Sequence, residues 1–310
     1  MKRRGALSLL LLAACATAHR NDRLIDELEA RAAATPRPEL SRAVARWREP
    51  VPWAGGTAAS TLPMLDGWFP TVRGAVAGHP MDLFLDTGTS CLHLSGPAAR
   101  RAGLHLPAEE PLALHAVGYQ ARVRAGAVES VEMGPLRFGP APALLEVSET
   151  YLRKAPEYAL VGCSILSHFR ATFDYARREV RLVPHGGPGF TDPLFVEARI
   201  GGRPFRLMVD TGAKGVFLEP WAALELGLID AAEARSRETG AGSRAAVRFL
   251  PVQIASLTVA GREFRAVRAR VVRVHPAAGD GGPAGLLGLS EFGPLAWTLD
   301  YGARRLTVEG

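Results

Sequence analysis

Hydrophobic and polar positions alternate along much of the chain, and the alternating stretches are short and separated by Gly and Pro. Phe205, Leu207 and Val209, for example, stand at every second position, as in a strand with one buried face. Short apolar runs between turn residues are also typical of strands. The pattern therefore predicts a mostly β protein, with one short helix in SILSHF (164–169) and another in LSEF (289–292).

The same pattern occurs twice along the chain. AVAGHPMDLFLDTG (75–88) matches ARIGGRPFRLMVDTG (198–212), and ALVGCSILSHFRATFDYARREVRLV (159–183) matches GLLGLSEFGPLAWTLDYGARRLTV (285–308). Repetition with constant order and spacing indicates a tandem duplication. We therefore expect two similar lobes, at 66–184 and 190–310, joined by a linker rich in Gly and Pro. Each copy also predicts a short helix that ends at Gly103 or Gly227.

Each copy carries an apolar strand that runs directly into an acid, in LFLDTGTS (83–90) and in LMVDTGAK (207–214). Such a strand would hold Asp86 or Asp210 at the end of a rigid element, partly out of water. Two carboxylates that a duplication brings face to face cannot both ionise at close range, so they share a proton. The ionised carboxylate can then take a proton from a water, while the protonated one hydrogen-bonds a peptide carbonyl oxygen. We therefore predict an acid–base pair where the lobes meet.

The residues around each acid suit such a pair. The loop glycines permit a tight turn and close backbone approach, and the threonine hydroxyls are expected to hydrogen-bond across the lobe interface. Later in each copy, two apolar residues and a glycine can pass beside the acid loop and separate it from water. The supporting residues predicted in this way are Thr87, Gly88, Thr211 and Gly212 in the loops, with Gly162 and Gly288 beside them.

With Asp-Thr-Gly twice and apolar-apolar-Gly twice, in the same order, residues 66–308 resemble the aspartic protease superfamily of pepsin and the retroviral proteases. The resemblance is to its bacterial retropepsin-like branch, with two lobes fused in one chain. It implies an all-β, bilobal acid-protease fold of two pseudo-symmetric β-barrel-like lobes, with one or two short helices in each. It also implies an aspartic endopeptidase that acts as a monomer on a peptide or protein substrate, without metal or other cofactor, and with Asp86 and Asp210 as the catalytic pair.

The resemblance further implies a β-hairpin flap over the cleft in each lobe, with Gly118 and Tyr119 in the first flap and Gly242 in the second. Both glycines stand 32 residues after the acid of their copy, and glycine suits a tip that bends and approaches substrate backbone. The copies are shorter than the lobes of pepsin and lack its cysteine pattern, so the resemblance does not extend to specificity.

Two cysteines lie near the first acid loop. Cys91 follows Asp86 by five residues, and Cys163 follows the glycine that should pass beside that loop. A disulfide between them would be peculiar to the first lobe, because Gly215 and Leu289 stand at these positions in the second. Two buried free thiols are the alternative, which is a common state for cysteine. The sequence leaves both readings open.

The first residues have the pattern of an export signal. Three basic residues precede an apolar run at 6–14 that is too short to span a membrane. The run ends in LAAC, which resembles the lipobox of bacterial lipoproteins, where cleavage precedes a cysteine that then carries lipid. We therefore expect a signal peptide at 1–14, a lipid on Cys15, and attachment of the exported protein to a bacterial membrane, at its periplasmic face or at the cell surface. An ordinary signal peptide that is cut nearby is the alternative.

Between the signal and the first lobe, apolar residues fall at helical spacing on a polar background, and Pro and Gly end both stretches. We expect residues 15–65 to form a lipid-anchored tether with two short helices, or else a pro-segment that covers the active site.

Composition argues against several other classes of protein. Hydrophobic residues make up 47% of the 310 residues and charged residues 22%, which is typical of a globular protein. The net charge is +6, but the arginines are spread singly and no basic run with aromatics occurs, so no nucleic-acid partner is predicted. HExxH and GxSxG motifs are absent, and His115 and His168 have no partners at metal-ligand spacing. The competing function is a non-catalytic envelope lipoprotein that binds peptides in the same cleft.

Overall fold

The structure is a computed structural model, and it describes residues 50–54, 58–104, 112–116, 119–147, 157–185, 193–234, 249–272 and 282–310, with the backbone alone at 112–116 and 119–121. Strands dominate these residues and the helices are short. The first copy contains β1 (Trp53–Ala54), β2 (Ser60–Pro63), β3 (Thr71–Val76), β4 (His79–Leu85), β5 (Leu92–Leu94), α1 (Gly96–Arg101), β6 (Leu112–Ala116), β7 (Tyr119–Val128), β8 (Val131–Met133), β9 (Leu136–Phe138), β10 (Ala141–Glu146), β11 (Ala159–Val161), α2 (Cys163–Leu166), β12 (Phe169–Asp174) and β13 (Glu179–Pro184). The second copy contains β14 (Phe195–Ile200), β15 (Arg203–Val209), β16 (Val216–Leu218), α3 (Pro220–Glu225), β17 (Leu250–Val259), β18 (Arg262–Val271), β19 (Gly285–Leu287), β20 (Ala296–Asp300) and β21 (Arg305–Glu309).

The strands form three sheets. A ten-stranded sheet in the first lobe has the order β1-β9-β8-β3-β4-β11-β5-β10-β7-β6, and a closed barrel in the second lobe has the order β14-β15-β19-β16-β18-β17. The third sheet has five strands in the order β2-β13-β12-β20-β21, so it takes strands from both copies. The fold is therefore all-β and bilobal, as predicted, and the lobes share one sheet.

The shared sheet preserves the symmetry of the duplication. β12 and β20 run antiparallel, and Thr172 pairs with Thr298, which is the matching residue of the other copy. Their hydroxyl oxygens are 2.8 Å apart. Equivalent residues that face each other lie on a two-fold axis, so the pseudo-two-fold axis between the lobes passes through this pair.

Tight hairpins set the register of the strands that lead to the acids. β3 and β4 are joined through Ala77 and Gly78, and β14 and β15 through Gly201 and Gly202, all four with positive φ. A two-residue turn with positive φ at both positions matches the twist of the strands that it joins. Because a slip of one residue would turn every side chain to the opposite face, these turns determine which residues of β4 and β15 enter the lobe core.

The core is continuous through both lobes and the shared sheet. Its largest fully buried side chains include Phe138, Phe169 and Phe173 from the first copy, and Trp297 and Tyr301 from the second. Phe138 and Phe169 pack edge to face, with 5.8 Å between ring centroids. Large aromatic side chains dominate the energetics of such a core, and both copies contribute them.

Two strands lie inside the segment 15–65 that the sequence predicts to be a tether or pro-segment. β1 pairs with β9, and β2 pairs with β13 in the shared sheet. Trp53 packs on Phe169 with 5.3 Å between ring centroids. The first lobe therefore begins before residue 66, and the predicted boundary is too late because both strands are too short to give a periodic signal. Residues 1–49, with the predicted helices of the tether, lie outside the described residues.

Three of the four helices predicted in the two lobes are present. The helix in SILSHF is α2, and the helices after the two acid loops are α1 and α3. The helix predicted in LSEF is wrong, because residues 289–292 form a turn in which the Phe292 N–H donates to the Leu289 carbonyl at 3.4 Å. Gly293, with a φ of +88°, and Pro294 follow that turn, and both oppose a helix. No helix in the described ranges has the length and apolar character needed to cross a membrane.

Candidate active site

The two acids lie at equivalent strand ends in the two lobes. Asp86 follows β4 and Asp210 follows β15. Their backbone N–H groups donate to the carbonyls of Val161 and Leu287, each at 3.0 Å. β11 pairs in parallel with β4, and β19 with β15, so a strand from late in each copy holds the acid loop. Both aspartates are fully buried.

Each carboxylate is oriented by its own loop. The Gly88 N–H donates to Asp86 Oδ1 at 2.9 Å, and the Gly212 N–H donates to Asp210 Oδ1 at 2.7 Å. Because both bonds come from the backbone two residues later, the two loops present their carboxylates in the same way.

The loop glycines pack against the carboxylate of the opposite lobe. A Cβ built on Gly88 would lie 2.7 Å from Cγ of Asp210, and one built on Gly212 would lie 2.7 Å from Oδ1 of Asp86. Real Cβ atoms essentially never approach other atoms so closely, so glycine alone fits at either position. The structure therefore brings the two carboxylates together at the lobe interface.

The two loop threonines connect the lobes. The Thr87 N–H donates to the Thr211 hydroxyl, and the Thr211 N–H donates to the Thr87 hydroxyl, each at 3.0 Å. The Thr87 hydroxyl donates to the Val209 carbonyl at 3.0 Å, and the Thr211 hydroxyl to the Leu85 carbonyl at 2.7 Å. The hydrogen bonds expected across the interface are thus present. Because all these groups are buried, the bonds hold both acid loops in one relative position.

Burial governs the protonation of the pair. Removal from water raises the pKa of Asp86 well above its usual range, and the negative charge of Asp210 raises the pKa further. Hydrogen bonds from the N–H groups of Gly88 and Thr89 lower the pKa of Asp86, but by less than burial and the charge of Asp210 raise it. Two adjacent buried carboxylates do not both carry charge, so the pair retains a proton at pH values where isolated carboxylates are ionised.

The glycines that follow β11 and β19 lie in close contact with the acid loops. A Cβ on Gly162 would lie 2.5 Å from the carbonyl oxygens of Thr89 and Cys91, and a Cβ on Gly288 would overlap the carbonyl of Ala213. Gly162 and Gly288 therefore stand beside the acid loops, as predicted, and a side chain at either position would displace a loop.

Cys91 and Cys163 are buried free thiols, which distinguishes between the two readings of the sequence. The Cys91 thiol donates to the Leu92 carbonyl at 3.4 Å, and the Cys163 thiol donates to the Thr87 carbonyl at 3.3 Å. Each sulfur thus has a backbone partner and no disulfide forms. The Cys163 thiol is thus hydrogen-bonded directly to the first acid loop.

Two tyrosines near the acids are absent from the sequence-based prediction of the site. The Tyr301 hydroxyl of the second copy lies 3.5 Å from the Cys163 sulfur and within electrostatic reach of Asp86. Tyr175, the matching residue of the first copy, lies within electrostatic reach of Asp210. Burial raises the pKa of both phenols. The Asp-Tyr pair that recurs in both copies is the signal in the sequence that could have identified them.

The structure covers the predicted flaps in part. β6 and β7 pair antiparallel with Ala116 opposite Tyr119, so two paired strands flank the predicted tip of the first flap. Tyr119 is described by its backbone, as the first residue of β7. Gly118, Gly242 and the predicted lipid site Cys15 lie outside the described residues. Within the described part of the chain, no group of three or more His, Cys, Asp or Glu is placed to hold a metal ion.

The chain is similar to several known proteins. A family model for aspartyl proteases matches residues 72–162 and again residues 196–290, once in each copy and over more than half of the chain. A retropepsin-like aspartic protease from Rickettsia conorii is similar in structure, with 24% identity and a TM-score of 0.22, over 31% of this chain and 64% of that protein, which is less than two thirds of its length. Basic 7S globulin from soybean is similar over 82% of this chain and 95% of that protein, with 12% identity and a TM-score of 0.43. Among curated proteins no sequence matches.

Proposed function

Because the chain belongs to the aspartyl protease family, we propose that it is an aspartic endopeptidase that hydrolyses peptide bonds between its two lobes. One observation carries the proposal. Two fully buried carboxylates, Asp86 and Asp210, come from different lobes, and each packs on the loop glycine beside the other. Neither loop alone makes a catalytic pair, so the chemistry depends on the duplication.

The reaction begins from the pair with one shared proton. The ionised carboxylate accepts a proton from a water, and the water oxygen attacks the carbon of the scissile carbonyl. The protonated carboxylate donates its proton to the carbonyl oxygen at the same time. The product is a neutral tetrahedral diol, and the pair again holds one proton. The two acids titrate as a unit, so either role belongs to the pair and not to one residue.

Breakdown of the diol reverses these proton transfers. A carboxyl proton passes to the amide nitrogen, the carbon–nitrogen bond breaks, and a diol hydroxyl returns its proton to the pair. An amine and a carboxylic acid leave, and no covalent bond between enzyme and substrate forms. The hydrogen bonds of Thr87 and Thr211 across the lobe interface keep the two carboxylates at a constant separation through both steps. Acid–base catalysis requires that its proton donors and acceptors are held in position in this way.

A cleavage profile on a diverse peptide library, from acid to neutral pH, tests the activity. We expect cleavage that is inhibited by a peptide with a tetrahedral hydroxyl mimic in place of the scissile bond. Removal of divalent metals with EDTA should leave the rate unchanged. Peptides that bind without being cut at any pH would favour the non-catalytic binding protein instead, and inactivation by EDTA would contradict the mechanism.

We further propose that the protein is exported and held at a bacterial membrane by lipid on Cys15. The motif LAAC at the end of the apolar run supports this. One acyl chain anchors weakly, so more than one chain is expected. Cys15→Ser should move the protein from the membrane fraction to the soluble fraction of the expressing cell and block lipid incorporation, whereas Cys91→Ser, a change at a buried thiol, should do neither. A Cys15→Ser protein that still partitions with the membrane would contradict the proposal.

A further inference from the structure

A single peptide group connects the first acid to the helix that follows β11. The carbonyl of Thr87 and the N–H of Gly88 belong to the same planar peptide unit. The Gly88 N–H donates to Asp86 Oδ1 at 2.9 Å, and the Thr87 carbonyl accepts from the thiol of Cys163, the first residue of α2, at 3.3 Å. The thiol therefore holds, from the opposite end, the peptide group that orients the Asp86 carboxylate.

The second copy extends this line of hydrogen bonds. The Tyr301 hydroxyl lies 3.5 Å from the Cys163 sulfur. A thiol has one hydrogen, and because that of Cys163 is donated to the Thr87 carbonyl, the sulfur accepts and the Tyr301 hydroxyl donates. Burial raises the pKa of Tyr301, so the phenol keeps this hydrogen. We call Tyr301, Cys163 and the Thr87–Gly88 peptide group the thiol relay, and it ends at Asp86.

Every member of the thiol relay is buried. Hydrogen bonds in series polarise one another, and the low dielectric of a protein interior strengthens each of them. A donor at the carbonyl of a peptide group therefore strengthens the hydrogen bond that the N–H of the same group donates. A stronger hydrogen bond to a carboxylate favours its ionised form. The thiol relay thus favours negative charge on Asp86 without a charged side chain.

The second copy keeps the tyrosine but has no thiol at the equivalent position. Leu289 replaces Cys163 and is fully buried. The Thr211–Gly212 peptide group still donates its N–H to Asp210 Oδ1, at 2.7 Å, but a leucine side chain offers no donor to its carbonyl. The hydroxyl of Tyr175, the matching tyrosine, is buried and has no hydrogen-bond partner among the described residues. The thiol relay is therefore a feature of the first acid and not of both.

Ionisable groups from several elements surround Asp86 and the thiol relay. Those within electrostatic reach of Asp86, of Tyr301 or of another relay member include Asp210, Cys163, Cys91 and Arg304. Arg304 is exposed, so solvent screens its charge. Burial and the negative charge of Asp210 both oppose ionisation of Asp86. The thiol relay acts against these two effects.

We propose that Cys163 and Tyr301 are positioning residues for the acid pair, and that the thiol relay stabilises negative charge on Asp86. The proposal rests on the proposed function, because the ionised carboxylate of the pair is the group that takes a proton from the water. The pair still holds one proton and titrates as a unit. The second copy thereby influences the acid of the first copy by a route other than the threonine hydrogen bonds.

Titration of the aspartate carboxyl carbons by NMR tests the thiol relay without requiring hydrolysis. The full chain is isotopically labelled at these carbons, and Asp86→Asn and Asp210→Asn assign the pair. Loss of a donor raises the pKa of a carboxyl, so Tyr301→Phe and Cys163→Ala should each raise the apparent pKa of the pair by about 0.3. Cys163→Ser, which keeps a donor and an acceptor, should restore most of the original value. Cys91→Ala, which removes the other buried thiol, should leave the titration unchanged.

The double variant of Tyr301→Phe and Cys163→Ala shows whether the tyrosine acts through the thiol. Tyr301 lies within electrostatic reach of Asp86, so a direct effect is the alternative. In a relay, the double variant should titrate like Cys163→Ala alone, because the two residues act in series. A further rise in the double variant would overturn the relay. So would an unchanged titration in Tyr301→Phe, a variant that loses a single hydroxyl and whose folding thermal unfolding would confirm.

Kinetics separates this proposal from the endopeptidase itself. In Cys163→Ala, the pH at which the rate of peptide hydrolysis falls should move upward together with the NMR titration. An active protein whose variants titrate like the unmodified chain would overturn the relay and leave the endopeptidase standing. A titration that moves as expected in a protein that cuts no peptide would overturn the endopeptidase and leave the relay standing.

Discussion

Gly88 and Gly212 carry no side chain because the carboxylate of the other lobe occupies that space. The hydroxyls of Thr87 and Thr211 each accept a hydrogen bond from a backbone N–H of the opposite lobe and donate one to a backbone carbonyl of that lobe. At the scale of single residues, the site is therefore assembled from contacts that cross the interface. These roles are chemically specific, since a methyl group or a lost hydroxyl would disturb both loops at once.

Substitution of either loop glycine tests this packing. Gly88→Ala should push Asp210 out of position, because the new Cβ would lie 2.7 Å from its carboxylate carbon. A misplacement of about 1 Å in a catalytic group costs about 10²-fold in rate, so we expect a loss of that size in kcat. Gly302→Ala is the matched control, because its Cβ would meet no atom closer than 3.5 Å. Normal kcat for Gly88→Ala would show that the carboxylates are not packed as described.

The raised pKa of Asp86 also has a consequence for stability. A carboxyl whose pKa is raised on folding binds its proton more tightly in the folded state, so its contribution is present at low pH and is lost as pH rises. We expect the free energy of unfolding to fall as pH rises from 3.8, the ordinary value for this carboxyl, through the raised pKa of the pair. The loss is about 1.4 kcal/mol for each unit by which the pKa is raised.

Asp86→Asn should remove this pH dependence and stabilise the protein at neutral pH, which urea unfolding at several pH values would measure. Asp66→Asn, a change at an exposed carboxyl, should leave the dependence in place. A protein whose stability rises from pH 4 to pH 7 in an Asp86-dependent manner would contradict the shared proton. When the pair loses its shared proton, no carboxyl remains to act as the acid. The rate of hydrolysis should therefore also fall as pH rises through the pKa of the pair.

At the scale of elements, local patterns were sufficient where the duplication repeats them. The strands before Asp86 and Asp210, and the glycines after β11 and β19, could be predicted because both copies show the same order and spacing. β1 and β2 could not, since two to four residues give no periodicity, and their pairing partners lie far away in the sequence. The LSEF turn was missed because Gly293 and Pro294, just beyond it, outweigh the helical spacing.

The contact between Tyr301 and Cys163 could not be predicted either, because it depends on how β20 meets β12 across the lobes. It makes the two copies unequal. Tyr301 has the thiol beside its hydroxyl, whereas the buried hydroxyl of Tyr175 has no hydrogen-bond partner among the described residues, and Leu289 replaces the thiol. The first acid loop is therefore supported by a thiol–hydroxyl contact that has no equivalent at the second loop among the described residues.

A matched pair of variants tests this inequality. Tyr301→Phe removes a paired hydroxyl and should lower the free energy of unfolding by about 1 kcal/mol. Tyr175→Phe removes an unpaired buried hydroxyl and should leave stability unchanged or raise it. Urea unfolding of both variants gives the comparison. Equal losses would show that the two hydroxyls are equivalent and that the thiol contact is unimportant.

At the scale of the whole molecule, the duplication serves two purposes. It brings two identical Asp-Thr-Gly loops together into one pair of acids, and it leaves the residues around the two loops free to differ. His93 and Phe217 occupy the same position in the two lobes but differ in chemistry. A single chain with two lobes can therefore carry different side chains at equivalent positions beside its two acid loops, which a dimer of identical chains cannot.

The most direct test of the catalytic pair is the kinetics of Asp86→Asn, Asp210→Asn and the double variant on one peptide substrate. Each single change removes either the base or the acid, so we expect kcat to fall by about 10²–10⁴-fold in each. Because the two residues act as a unit, the double variant should lose little more than either single variant. Full activity in either single variant, or losses that multiply in the double variant, would contradict the shared-proton mechanism.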